Sequence, residues 1–113
     1  MFGQNGEQME HLVKKHQWDK IGKKLHNANI QTKTALAAAC GNSSDDEASN
    51  ILINLLRDSD EAVQLQAIKS LGATGNNSSK THLQWLSNNL PDEKKEIKEA
   101  ITEALSQISA RKK

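Results

Sequence analysis

Residues 51–72 read ILINLLRDSDEAVQLQAIKSLG, and this stretch decides the fold. It opens with an apolar run, passes through an acidic turn at residues 58–61, and continues with apolar side chains at helical spacing. The second apolar group consists of Val63, Ala67 and Leu71. The pattern predicts two helices joined by a tight turn, with the second helix ending at Gly72 or slightly later.

A short turn motif appears on both sides of this stretch. Residues 41–44 read GNSS and residues 75–78 read GNNS, which is a spacing of 34 residues. Repeats of roughly this period are typical of solenoids, in which helical units stack on one another. We therefore predict an all-α fold. It is an α-α superhelix, a short right-handed solenoid of about three helix pairs with one preceding N-terminal helix.

The chain is predicted to form a single domain over residues 1–113. Its parts are an N-terminal segment and helix (1–16) and three helix pairs (17–41, 45–73 and 79–109).

Local signals predict several helix ends. A helix is expected from about Ile30 to Cys40. Ser44 and Glu47 have the spacing of a capping box, which predicts that the fourth helix starts near residue 45. Pro91 suits the first turn of the last helix, where its missing N–H costs nothing.

The charge of the chain is small but uneven. The 113 residues carry a formal net charge of +1, so no global field attracts nucleic acid or a membrane. Residues 1–40 have six lysines against three acids, whereas residues 41–75 have six acids against two basic residues. A single cysteine excludes an internal disulfide, and neither a signal peptide nor a membrane-length apolar run is seen. A cytoplasmic protein is expected.

The repeated units resemble the HEAT-repeat superfamily, in particular its short HEAT-like repeats of the phycobilin-lyase type. The middle unit carries the resemblance best, through residues 52–56, Asp58, Asp60, Val63, Ala67, Leu71 and Gly72. The third unit matches through Leu86, Leu90, Asp92, Ile97, Ile101 and Leu105. The first unit matches more weakly, through Ile21, Leu25, Asn29, Leu36, Cys40 and Gly41. The resemblance covers about residues 17–109, and the tetratricopeptide and ankyrin signatures are absent.

The resemblance also implies a polar ladder between repeats, built from an Asp in the turn and an Arg in the second helix. In this chain the turn positions are Asn29, Asp60 and Lys94, and the basic positions are Lys33, Gln64 and Lys98. The ladder is therefore predicted to be incomplete.

The function implied by the resemblance is a protein-protein interaction module or scaffold without catalysis. Its partner, a protein or peptide, would bind the concave face that the second helices line. The register predicts these exposed positions on that face: Lys33, Ala37, Gln64, Lys69, Lys98 and Thr102. An ordinary solvated face is the alternative for each of them.

A nucleic-acid-binding or enzyme-associated subunit, similar to the lyase and glycosylase relatives, is the second functional alternative. It is disfavoured because the second helices carry no aromatic residue and the carboxylates Asp60 and Asp92 lie in turns. The N-terminal lysines and histidines suggest a patch for phosphate or for an acidic partner. Their spacing scatters them around the helices, which favours a solvated surface. They are Lys14, Lys15, Lys20, Lys23, Lys24, His11, His16 and His26.

No catalytic residue, cofactor site or metal site is predicted. The histidines lack ligand spacing, and Cys40 lies at a register position expected to be buried. Trp18 and Trp85 are expected to pack against the core, with a role as interface anchors as the alternative. Neither nucleic acid nor a membrane is expected as a partner, and self-association stays open.

Overall fold

The computed structural model describes residues 4–111, and side chains within residues 6–110, as an all-helical chain. Of the predicted N-terminal segment, residues 1–3 lie outside the described residues. The helices are α1 (Gln4–Lys14), α2 (Trp18–His26), α3 (Ile30–Cys40), α4 (Asp46–Leu55), α5 (Glu61–Thr74), α6 (Asn77–Asn89) and α7 (Lys95–Arg111). The predicted all-α fold is confirmed.

The seven helices form two layers. Helices α1, α3, α5 and α7 pack side by side in that order, and we call them the second-helix layer. Helices α2, α4 and α6 form the first-helix layer, in which α4 contacts both α3 and α5 while α6 contacts α7. The chain is thus an α-α superhelix. Helix α1 was predicted only to precede the helix pairs. In the structure it packs against α3, in the same way as α3 packs against α5, so it belongs to the second-helix layer.

The apolar core lies between and within these layers, and α5 is at its centre. Ile68 and Leu71 of α5 are fully buried, as are Leu52 of α4, Leu83 of α6 and Ile101 of α7. Burying one such side chain contributes about 1.5–3 kcal/mol. The core therefore ties α5 to helices before and after it in the chain.

Small residues allow neighbouring second helices to approach closely. A Cβ atom added at Gly72 would lie 3.1 Å from the Cα atom of Ala104 on α7, and one at Gly41 would lie 2.7 Å from Ser70 Oγ. Ser70 is buried and donates a 2.7 Å hydrogen bond to the carbonyl oxygen of Ala37. Larger side chains at the two glycines would force α3, α5 and α7 apart.

Within the described residues, α3, α5 and α6 each begin after a residue whose side chain caps the helix. Asn29 accepts a 2.8 Å hydrogen bond from the N–H of Thr32, and Asn76 accepts one of 3.2 Å from that of Ser79. Asp60 accepts hydrogen bonds from the N–H groups of two residues, and the closer one, from Ala62, is 2.9 Å long. Each cap satisfies backbone donors that the first turn leaves free.

The fourth helix starts at Asp46, close to the predicted residue 45, but its predicted capping box is wrong, and so is the predicted start of the last helix. The N-cap of the fourth helix is Asp45, but the Asp45 side chain accepts no hydrogen bond from the first turn of that helix. The N–H of Asp45 donates to Ser43 Oγ at 3.1 Å. The capping box expected from Ser44 is therefore replaced by a turn one residue earlier. The last helix begins at Lys95 because Leu90 is extended before Pro91 and the Lys94 N–H donates to the Pro91 carbonyl at 3.1 Å, closing a separate turn.

Helix α5 continues to Thr74, two residues past Gly72. The reason is that Gly72 serves the close approach of α7, so it does not end the helix. Within residues 4–111, no helix combines the length and the apolar character needed to cross a membrane.

Candidate functional site

The second-helix layer has an outward face, which we define as its side turned away from the first-helix layer. Its exposed positions follow the repeat register, because Ala38, Lys69 and Glu103 are equivalent residues on α3, α5 and α7. Ala73 and Gln107 lie one turn further along α5 and α7 and are exposed as well. The outward face of α3 and α5 thus carries one charge at these positions, that of Lys69.

A shallow groove runs between α5 and α7 on this face. It encloses about 270 Å³ and is lined by Lys69, Ala100, Glu103, Ala104 and Gln107. Small side chains form its floor, and Lys69 and Glu103 supply one charge of each sign. The groove therefore offers both polar and apolar contacts.

The structure places the six predicted partner-binding residues in different environments. Lys69 lines the α5–α7 groove. Thr102 is exposed but lines a different cleft together with Leu105 and Ser106, and its Oγ1 donates to the carbonyl of Lys98 at 3.1 Å. Of the six predicted residues, Lys69 is the one that lines the groove on the outward face.

The predicted exposure of Ala37 is wrong. Ala37 has 0% exposure, and its carbonyl oxygen accepts the hydrogen bond of Ser70 from α5. Its position in the repeat faces α5, the neighbouring helix of the second-helix layer, and does not face solvent. The equivalent residue on α5, Ile68, is buried for the same reason.

The other three predicted residues make contacts that hold turns in place. Lys33 Nζ donates to Asp58 Oδ1 at 2.7 Å, and Gln64 Nε2 donates to the Leu56 carbonyl at 2.9 Å. Lys98 Nζ donates to Asp92 Oδ1 at 3.3 Å. All three side chains are only partly exposed, so their polar ends are engaged within the fold.

A ladder contact therefore exists, with a different acid from the one that the register indicated. Lys33 of α3 pairs with Asp58 in the turn before α5, and Lys94 pairs with Glu61 at the start of α5. Asp60, the expected ladder residue, caps α5. Spacing alone could not separate these roles because Asp58 and Asp60 lie in the same turn.

The Lys33–Asp58 pair predicts an acid-sensitive contribution to stability. Burial alone would raise the pKa of Asp58, but hydrogen bonds from Lys33 and the Asp60 N–H, with the Lys33 charge, lower it below its ordinary value. The unfolded chain then binds the proton first, so stabilisation is present above a pH of about 4 and is lost as the pH falls further. In Asp58→Asn, we expect a flatter pH dependence of the unfolding free energy between about pH 5 and pH 3, measured by urea denaturation. Equal slopes in both proteins would contradict this pairing.

A second cleft lies where α1, α3 and α4 meet. It encloses about 530 Å³, and its lining residues are Glu10, Val13, Lys14, His16, Ala39, Asn42, Ser43, Ser44 and Asp45. His16 Nδ1 donates to Asp45 Oδ2 at 2.5 Å across it. Among the described residues, no hydrogen bond joins Ser43 or Ser44 to His16, so the nucleophile-base pair of acyl transfer is not assembled. Charges of both signs line the cleft, so it selects no ligand by charge.

His16 also ends α1 in an unusual backbone conformation. Its φ is +57°, and the N–H groups of His16 and Gln17 donate to the carbonyls of Val13 and Leu12. This is a Schellman motif with histidine at the position that glycine usually occupies. The left-handed backbone at His16 costs conformational energy, and the ring of His16 forms the hydrogen bond to Asp45.

Two substitutions at His16 separate these effects. His16→Gly removes the backbone cost along with the bond to Asp45, so we expect the unfolding free energy to change by less than about 1 kcal/mol. His16→Ala loses the same bond but keeps the left-handed backbone, and we expect it to be about 1–2 kcal/mol less stable than the glycine variant. Urea denaturation of the two variants measures the difference. Equal stabilities would argue against the left-handed conformation in solution.

Trp85 forms a further feature, on the first-helix layer. It is 46% exposed, and the guanidinium carbon of Arg57 lies 4.5 Å from its ring centroid. Trp18 is partly buried and packs against the core. The expected packing against the core is confirmed for Trp18, whereas Trp85 is exposed. The sequence gave no signal for the contact between Arg57 and the Trp85 ring.

The lysines of α2 share one side of that helix. Lys20, Lys23 and Lys24 are exposed, while Ile21 is buried and Leu25 packs against the core. Their spacing places them together opposite the buried side, so on α2 the expected scatter is wrong. No exposed aromatic residue accompanies them on α2, so the stacking that single-stranded nucleic acid requires is not provided.

Cys40 is fully buried, which confirms its predicted place in the core. Burial raises the pKa of its thiol to about 12, so the thiolate needed for nucleophilic attack is scarce at neutral pH. Within the part of the chain that the structure describes, no group of three His, Cys, Asp or Glu side chains has the arrangement of a metal site.

Comparison with protein-family models places the chain in a known family. The sequence model of the family described as HEAT repeats matches residues 19–106, which is most of the chain. No curated protein and no solved structure matches.

Proposed function

This chain belongs to the HEAT-repeat family, and from that premise we propose that it is a non-catalytic scaffold that binds a protein partner through its outward face. HEAT repeats commonly serve as protein-interaction scaffolds, and stacked repeats present extended surfaces to their partners. The proposed contact residues are those of the outward face, centred on Lys69 and the α5–α7 groove.

The observation that carries this proposal is the composition of the outward face. On α3 and α5 its middle positions are Ala38, Lys69 and Ala73, whereas the exposed side of α2 carries three lysines. Exposed helix faces that serve only for solubility are usually rich in charge. Small side chains also allow the backbone of a partner to come close, which supports a contact surface here.

The proposal can be tested by site-directed photo-crosslinking with the full chain. A crosslinking amino acid is placed at Ala38 or at Lys69, and each protein is incubated with native cell lysate at low and at high salt. We expect the same protein to be crosslinked from both positions at both salt concentrations, because small uncharged side chains make up most of this face and its few charges leave binding only weakly dependent on screening.

Lys23 is the matched control position, since it is exposed on α2 in the other layer. We expect no crosslink from Lys23 to the same protein. Crosslinks from Lys23 alone would contradict the outward face as the contact surface. Capture of nucleic acid alone, released at high salt, would favour the nucleic-acid alternative instead.

A further inference from the structure

A second surface, on the first-helix layer, has the composition of an interface centre. We call it the Arg57–Trp85 patch, and it comprises Arg57, Trp85 and the exposed positions Asn50, Asn54, Thr81, Gln84 and Asn88. It lies on α4 and α6 and on Arg57, the second residue after the end of α4, and it is separate from the outward face proposed above.

The first observation is that the patch exposes a large aromatic side chain. Trp85 is 46% exposed, and the other large apolar residue with comparable exposure among those described is Ile30, at 50%. Tryptophan and arginine are the residue types most enriched where interfaces gain their binding energy. Here both occur together, with the guanidinium 4.5 Å from the ring centroid.

The second observation is the scarcity of charge on α6, whose one lysine, Lys80, is only partly exposed. No exposed position of α6 carries a charged side chain, although 26% of all residues in the chain are charged. The exposed residues of α6 are asparagine, serine, threonine, glutamine and tryptophan. Depletion of lysine, glutamate and aspartate distinguishes interface centres from ordinary protein surface.

The third observation concerns the charge of Arg57. Its side chain is exposed, and among the described residues no carboxylate forms an ion pair with it. The guanidinium carbon lies over the ring of Trp85, and the N–H donors point outward at the edge of the guanidinium plane. A carboxylate can therefore bind at this edge in the bidentate geometry that arginine favours.

We propose that the Arg57–Trp85 patch binds a protein segment in which an Asp or Glu side chain neighbours an apolar side chain. The carboxylate pairs with the guanidinium of Arg57, and the apolar side chain covers the exposed part of the Trp85 ring. Nucleic acid is disfavoured because α6 carries a single lysine, Lys80, which is only partly exposed, and the patch itself contains no lysine.

The test uses a random peptide library displayed on phage and selected on the full chain, after depletion on the Trp85→Ala variant. We expect the selected peptides to share an acidic residue next to an apolar one. Arg57→Gln and Trp85→Ala should each weaken the binding of a selected peptide by about 10- to 100-fold. Arg57→Lys keeps the charge but loses the planar fork, and it should weaken binding as well.

Two controls keep the outcome clear. Trp85→Phe retains an aromatic ring, so it should fold and bind better than Trp85→Ala, and far-ultraviolet circular dichroism checks the helices of each variant. Lys23→Gln removes an exposed lysine of α2 that belongs to neither proposed surface, and it should change peptide affinity by less than about twofold. Crosslinking from Ala38 and Lys69 reports on the outward face separately, so either proposal can fail alone.

Three results would overturn the proposal: no enrichment over the Trp85→Ala variant, selected peptides without a carboxylate, or binding unchanged in Arg57→Gln. A fluorescent single-stranded oligonucleotide is titrated in parallel. If it binds, and Arg57→Gln and Trp85→Ala abolish that binding while no peptide is selected, the patch is a nucleic-acid site.

Discussion

Replacing Leu71 with alanine is expected to lower the free energy of unfolding by about 2–5 kcal/mol. Leu71 is fully buried on α5, the helix that packs between α3 and α7 and also against α4. The truncated side chain leaves a cavity that helices held on several sides cannot easily close. Urea denaturation followed by far-ultraviolet circular dichroism measures the loss.

Leu105→Ala is the matched control for this prediction. Leu105 occupies the equivalent position one repeat later, on α7, but it is only partly buried. We expect Leu105→Ala to lower the free energy of unfolding by less than half as much as Leu71→Ala, because folding removes less apolar surface from water at this position. A loss below about 0.5 kcal/mol for Leu71→Ala would be that of a surface substitution and would place Leu71 outside the core.

Cys40 is expected to react with a thiol reagent at least about a thousandfold more slowly than a free thiol at pH 7.5. Its side chain is fully buried, and burial raises the pKa of the thiol to about 12. Reaction then requires an opening of the structure around α3, and stable core helices open rarely. The time course of labelling in native buffer, read by mass spectrometry, gives the ratio.

A cysteine placed two residues away provides the control. In the double variant Ala38→Cys, Cys40→Ala, the thiol lies on the same helix but at an exposed position. It should be labelled at nearly the rate of a free thiol, and in strong denaturant both proteins should react equally fast. Rapid native labelling of Cys40 would contradict its burial.

The parts of the fold that depend on short-range signals could be predicted from the sequence. Helix α3 begins and ends where expected, because Asn29 caps its start and Gly41 follows its end, both within one turn. The start of α7 could not be predicted in the same way. Pro91 is compatible with a helix start or with a separate turn, and the structure has the turn.

Exposure on the second helices was harder to predict because it depends on neighbouring helices. Ala37 is a neutral residue whose burial is decided by the approach of α5, which Gly41 and Ser70 permit. Lys33 pairs with Asp58 from 25 residues away, and His16 pairs with Asp45 from 29 residues away. No local pattern contains such information, so the sequence identified candidate positions without their partners.

The order of helices in the second-helix layer bears on how the protein is assembled during synthesis. Helix α1 contacts α3, α3 contacts α5, and α5 contacts α7, with one intervening helix in each step. Contacts between near neighbours in sequence require little loop closure, which favours rapid folding. A nascent chain can therefore bury α1 as soon as α3 has left the ribosome, and each later second helix finds its docking surface already formed. Apolar side chains would then be exposed for about the time needed to synthesise one repeat, which reduces the opportunity for aggregation.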